Sequence, residues 1–125
     1  MLRLILATSR PESLRAFSAA LAADPEVHLQ EVASGAAALD AARLAAPDLV
    51  IIDAELPDYA PFHLIQKLLL VNAMVNTAVV SPLAEAEFHE VSEGLGILSR
   101  LPVEPGSGEA ADLLQKLRQI LGRAG

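Results

Sequence analysis

Apolar residues fall along this chain in two rhythms that alternate. Leu4-Ile5-Leu6-Ala7 is a short continuous apolar run and reads as a buried strand. Pro11 follows as a favoured first helical residue, with Ser9 as its candidate cap, and Leu14, Phe17 and Leu21 then recur at helical spacing. Asp24-Pro25 ends that helix, and Val27, Leu29 and Val32 outline a second strand. Ser34-Gly35 opens an Ala-rich helix expected to run to Ala46, stopped by Pro47-Asp48. Leu49 to Asp53 is the clearest strand, apolar without interruption up to Asp53, as expected where helices cover both faces.

The same alternation continues to the C-terminus. Ala54 to Pro61 reads as a loop, and Phe62, Ile65 and Leu69 mark the next helix. Ala78 to Ser81 is a strand ending before Pro82. Phe88 and Val91 mark a helix that ends near Gly94-Leu95-Gly96, and Ile97 to Leu101 forms a last short strand. Pro102 to Gly108 is a loop, and Leu113, Leu117, Ile120 and Leu121 define a final amphipathic helix before a frayed tail, 122–125. Strands that alternate with helices pair in parallel through right-handed crossovers, which predicts one α/β domain over residues 1–125, a doubly wound sheet of five strands.

Composition narrows the function classes. Hydrophobic residues make up 53% of the chain, enough for a core, and aromatics only 3%, so that core is aliphatic. Sixteen acidic residues against nine Lys and Arg give a net charge of −7, which argues against direct binding to nucleic acid. The absence of Cys excludes disulfides, thiol catalysis and thiolate metal sites, and fits a cytoplasmic setting. The N-terminal apolar run stops at Ala7, too short for a signal-peptide core, and no stretch approaches a membrane span. His28, His63 and His89 lie on separate elements without metal-ligand spacing. Pro105-Gly106-Ser107-Gly108 lacks the Lys and the strand-before-helix context of a phosphate loop.

In an open α/β sheet, function gathers beyond the carboxyl ends of the strands. Those ends hold Thr8-Ser9-Arg10, Asp53-Ala54-Glu55, Ser81-Pro82 and Leu101 to Glu104. Pro47-Asp48-Leu49-Val50-Ile51-Ile52-Asp53, followed by Leu56-Pro57-Asp58, closely resembles the phosphoacceptor strand and loop of response-regulator receiver domains. Ala33-Ser34-Gly35, Pro11 to Leu14 and Glu93 to Leu98 extend the resemblance over essentially the whole chain. It implies a flavodoxin-like (βα)5 topology with strand order 2-1-3-4-5. It also implies a non-enzymatic signalling module of a two-component phosphorelay. Asp53 then matches the phosphoacceptor, the backbone carbonyl of Glu55 a Mg²⁺ ligand, and Ser81 the switch hydroxyl. The implied partners are a histidine kinase or phosphotransfer protein and a downstream protein target. A homodimer through the face of the fourth and fifth helices is a further expectation.

The departures from the family matter as much. Thr8 and Ser9 stand where receivers usually carry two acidic residues. Mg²⁺ prefers carboxylate and water oxygens, so two neutral hydroxyls predict weak or absent metal binding at Asp53 and Glu55. On the last strand Val103 or Glu104 replaces the usual Lys, and Arg100 is nearest to the usual aromatic. Pro82 and Pro61 replace small residues. The expectation is an atypical receiver that acts mainly through protein–protein contact. Arg10, just after the first strand, either stays solvated, the commoner outcome for such a residue, or pairs with Asp53 in place of the missing cations. Thr8 and Ser9 either bond Asp53 or cap the next helix. Two other readings share the fold. A flavodoxin-like electron carrier wants a hydroxyl- and Gly-rich loop after strand one, and here Arg10-Pro11 follows Ser9, with Tyr59 the only Tyr. A hydrolase with Asp53 as nucleophile wants a second acid, for which only Glu55 is placed.

Overall fold

A computed structural model describes residues 1–122; the predicted frayed tail beyond Gly122 lies outside the described residues. Five strands, β1 (Leu2–Ala7), β2 (Val27–Val32), β3 (Leu49–Ile52), β4 (Asn76–Val80) and β5 (Ser99–Leu101), alternate with five helices. These are α1 (Arg15–Ala23), α2 (Gly35–Leu44), α3 (Pro61–Val71), α4 (Glu85–Ser92) and α5 (Ser107–Ile120). All strand pairs are parallel, in the order β2-β1-β3-β4-β5, so the expected (βα)5 topology is the observed one.

The uninterrupted apolar strands serve two cores. Leu2, Leu4 and Leu6 of β1, with Leu49, Ile51, Ala78 and Val80, pack against Phe17 and Leu21 of α1 and Leu113 and Leu117 of α5. The alternate residues Ile5, Ala7, Val50, Ile52 and Val79 pack on the other face against α2, α3 and Phe88 of α4. Period-two alternation therefore sends successive apolar residues to opposite layers, and neither layer tolerates a polar interruption in β3. Strand β2 lies at the edge, and none of its residues is fully buried.

Several local expectations change. The first helix starts at Arg15, with Pro11 to Leu14 forming a turn, and Ser9 does not cap it. The Ser9 hydroxyl instead donates to the Glu55 carbonyl at 3.3 Å, across to the loop after β3. Ser34 does cap α2, accepting from the Ala37 N–H at 3.1 Å, but α2 ends at Leu44 rather than Ala46. Pro61 is the first residue of α3 rather than the end of the loop. Leu64, Ile65 and Leu68 form its buried stripe, with Phe62 and Leu69 half-buried beside it. In α4 the buried partner of Phe88 is Ser92, four residues on, and Val91 is exposed. A polar residue holds that inward position because its hydroxyl donates back to the Phe88 carbonyl at 2.6 Å. The last helix begins at Ser107, held by Glu109, whose carboxylate accepts from the Gly106 N–H at 2.6 Å. Its inward stripe is Ala110, Leu113, Leu114 and Leu117, which leaves Ile120 exposed.

Candidate functional site

The parallel ladder continues one residue past each of three strands. Thr8 N–H donates to the Val32 carbonyl, Asp53 N–H to that of Ala7 and Ser81 N–H to that of Leu101, each at 3.0 Å. These bonds fix the backbones of Thr8, Asp53 and Ser81 at the carboxyl edge of the sheet, where an open α/β fold concentrates function. All three residues are buried, and Asp53 is fully so.

A buried carboxylate is costly unless its charge and lone pairs are satisfied. Asp53 meets that demand from inside the chain. Thr8 Oγ1 donates to Oδ2 at 2.7 Å, and the Ala54 N–H donates to Oδ1 at 2.7 Å. Arg10 supplies the rest with a two-pronged contact, Nε to Oδ2 at 3.0 Å and Nη2 to Oδ1 at 2.7 Å. A carboxylate offers about four lone-pair positions, and here four donors engage it. The Thr8 hydroxyl also accepts from the Arg10 N–H at 2.9 Å, which turns the chain after β1 so that the guanidinium faces Asp53. Arg10 reaches further, donating from Nη2 to the Val103 carbonyl at 3.1 Å. One side chain thus joins the loops after β1, β3 and β5. The hydrogen bonds to Asp53 raise the Arg10 pKa further above its already high ordinary value, outweighing the opposing effect of burial, and the charges of Asp53, Glu104 and Glu55 add to the rise.

The structure therefore places Arg10 in the less expected of its two roles, paired with Asp53. Of the two hydroxyls, Thr8 bonds Asp53 and Ser9 does not. Glu55 sits with its side chain exposed, and its carbonyl accepts from Ser9. Ser81 lies on the neighbouring strand end, but its hydroxyl accepts from the Leu83 N–H at 3.2 Å and so closes its own turn. Among the described residues Ser81 and Asp53 share no hydrogen bond. Sequence reasoning missed a second arginine contact: Arg100 of β5 donates from Nη1 to the Ser81 carbonyl at 3.2 Å. It also missed a clasp beside the site. Asp58 accepts from the Gly35 N–H at 2.8 Å and the Ala36 N–H at 2.9 Å, the open donors at the start of α2. Those bonds hold the Asp58 carboxyl below its ordinary pKa, the Ala36 N–H contributing most. Gly35 has no side chain because the Tyr59 ring occupies the space a Cβ would take.

The receiver resemblance implies Mg²⁺, and the donor set does not suit it. A hard dication needs several anionic or carbonyl oxygens. Here the buried carboxylate is already neutralised by a guanidinium, and its neighbour Thr8 presents a neutral hydroxyl that donates toward it. No step through a metal is derived for this arrangement. A surface groove of about 650 Å³ lies apart from Asp53, between α4 and β5, bordered by Glu85, His89, Glu93, Arg100 and Lys116.

No protein-family model matches the sequence, and neither does any curated protein. Solved structures do match its fold. The signal receiver domain of the putative response regulator NarL from Mycobacterium tuberculosis superposes with a TM-score of 0.79 at 18% identity, over 94% of this chain and 96% of that one. The chemotaxis response regulator CheY4 of Vibrio cholerae gives 0.81 at 17% identity, over 94% and 98%. The signal receiver domain of an HD domain-containing protein from Pseudomonas fluorescens gives 0.81 at 19% identity, over 97% and 90%. The chain has the receiver-domain fold, with the β2-β1-β3-β4-β5 order that the resemblance in strand three implied. Among the described residues no helix is long and apolar enough to cross a membrane.

Proposed function

We propose that this protein is a signal-transduction module of the receiver type that acts chiefly through protein–protein contact, with Asp53 at the phosphoacceptor position of a degraded phosphate and Mg²⁺ site. One observation carries the reading: a fully buried aspartate stands at the end of β3 in a receiver fold, beside a neutral Thr where the family uses an acid. Phosphoryl transfer depends on positioning and on neutralising charge. Without an acidic pair there is little to recruit the metal that screens an incoming phosphoryl group. Ser81 takes the switch position, and Glu55 offers its carbonyl at the metal position. The partners are a histidine kinase or phosphotransfer protein and a downstream protein, met in the cytoplasm without catalysis by this chain. The groove between α4 and β5, with acidic Glu85 and Glu93 opposite Arg100 and Lys116, is the contact face we assign to the downstream protein. A homodimer would use the same α4–α5 side.

Beryllofluoride with Mg²⁺, followed by backbone NMR, tests the reading. The expected result is a folded spectrum in which Asp53, Ser81 and α4 do not shift at low millimolar Mg²⁺. Saturable shifts at all three would make the protein a phosphate-driven switch and overturn the degraded-site reading.

A further inference from the structure

We infer that Arg10 is a built-in cation that keeps Asp53 permanently engaged, so that the chain itself, rather than Mg²⁺ or a phosphoryl group, sets the state of this site. The inference deepens the receiver reading by assigning the regulation of its central carboxylate, and its phosphoryl part rests on that reading.

Three features converge. The first is geometric saturation. Arg10 contacts both oxygens of Asp53, at 3.0 and 2.7 Å, and Thr8 and Ala54 take the other directions. A nucleophilic carboxylate needs a free lone pair in line with the phosphorus, and a metal needs at least one free oxygen. Neither is left. The second is charge. The guanidinium supplies one fixed positive charge, equal to that of a strand-five Lys and half that of Mg²⁺, and Val103 on the loop after β5 offers only its carbonyl. A planar guanidinium makes two parallel bonds to the two carboxylate oxygens, a geometry the rounded, strongly hydrated ammonium of a Lys does not match. The third is connection. Arg10 binds the loops after β3 and β5 together, and Arg100 separately ties β5 to the Ser81 carbonyl. The elements that would have to move on phosphorylation are therefore bridged in a single arrangement. A ligand shifts a two-state equilibrium only by its differential affinity for the two states. A ligand of Asp53 must first displace Arg10, and that displacement is subtracted from its affinity.

The test restores one acid and then removes the clamp. Ser9→Asp places a carboxylate beside the Glu55 carbonyl and leaves Arg10 in place. Ser9→Asp combined with Arg10→Ala frees Asp53 as well. Mg²⁺ is titrated into both proteins, with the Ala54 amide shift as readout. The expected result is that the double variant binds Mg²⁺ at least about tenfold more tightly than Ser9→Asp alone, equivalent to ~1.4 kcal/mol. Equal affinity in the two proteins would overturn the inference. A second measurement needs no variant. In the unaltered protein the Arg10 Nε–H should exchange slowly with solvent, with restricted rotation about the Nε–Cζ bond, in Mg²⁺-free and Mg²⁺-containing buffer alike. Fast exchange, or release on adding Mg²⁺, would also overturn it. The receiver reading fails separately: if the clamp behaves as stated but no histidine kinase or phosphotransfer protein ever contacts the chain, Arg10 keeps its role and the signalling role falls.

Discussion

Two arginine–aspartate pairs close opposite edges of the sheet, and they are alike in length but not in setting. Arg10–Asp53 spans 2.7 Å at the carboxyl edge, and Arg118–Asp24 spans 2.8 Å where α5 meets the turn between α1 and β2. Asp53 is fully buried, whereas the Asp24 side chain keeps 20% of its surface in water and Arg118 is shared with the exposed Glu26. The cation does not explain the difference, because Arg10, at 29% exposure, is wetter than Arg118 at 16%. What matters is the alternative open to each group when its partner leaves. Asp24 can turn to water. Arg10 can too. Asp53 cannot, so its pair is asymmetric: the carboxylate depends on the arginine far more than the arginine depends on it.

That asymmetry gives the largest expected effect. Arg10→Ala leaves a buried charge with only Thr8 and Ala54 as donors, and such uncompensated charges cost about 3 kcal/mol or more. Native domains are stable by only about 5–15 kcal/mol, so urea unfolding should show a large fall in midpoint. Asp53→Asn, by contrast, removes the charge and frees an arginine that can reach solvent; a loss of about 1–2 kcal/mol is expected. Arg10→Ala combined with Asp53→Asn should cost clearly less than the two single losses added, since the groups share one network. Equal losses for the two single variants would break the comparison. Arg10→Lys sharpens it: an ammonium keeps the charge but lacks the planar fork that makes two parallel bonds to the carboxylate, so recovery relative to Arg10→Ala should be partial.

The contrast also marks what the sequence made legible. Strand three could be read directly, because a run of Leu49 to Ile52 buried on both faces has no other stable home than the middle of a covered sheet. The cap at Ser34 was legible for a local reason: its hydroxyl needs only the N–H three residues on. Asp53 stood out because it ends that strand. The fate of Arg10 was not legible, since it turns on where the Thr8 hydroxyl and the Val103 carbonyl sit, 2.9 and 3.1 Å from Arg10 atoms but far apart in sequence for Val103. Ser9 misled for the same reason. Its hydroxyl took a partner that only the folded loop provides, the Glu55 carbonyl. Val91 and Ile120 look inward-facing by composition but fall outside the buried stripes of α4 and α5. Apolar character alone does not fix helix phase when neighbours such as Leu113 and Leu117 already fill the face.

Smaller effects belong to the other pair. Arg118→Ala should change stability by no more than about 1 kcal/mol, and by less in high salt, because both partners retain water. A loss that matched Arg10→Ala would mean that burial of the carboxylate is not the deciding variable.

The smallest effect is a pH dependence with a definite sign. The hydrogen bond from Arg118, helped by the Glu26 N–H, holds Asp24 below its ordinary carboxyl pKa in the folded protein. In the unfolded chain the group titrates near its free value, about 3.9. The unfolded state therefore binds the proton first as pH falls, and the stabilisation from Asp24 is fully present above that value and fades as pH drops through the lower, folded one. Asp58, lowered by the N–H groups of Ala36 and Gly35, acts in the same direction. The gap between thermal melts of Asp24→Asn and the unaltered protein should be constant near neutral pH and begin to narrow as the pH falls below about 4. If the gap between the two stayed constant with pH, the contribution of Asp24 would come from packing and not from its charge. In that case the Arg118 pair would no longer serve as the solvated counterpart to Arg10–Asp53.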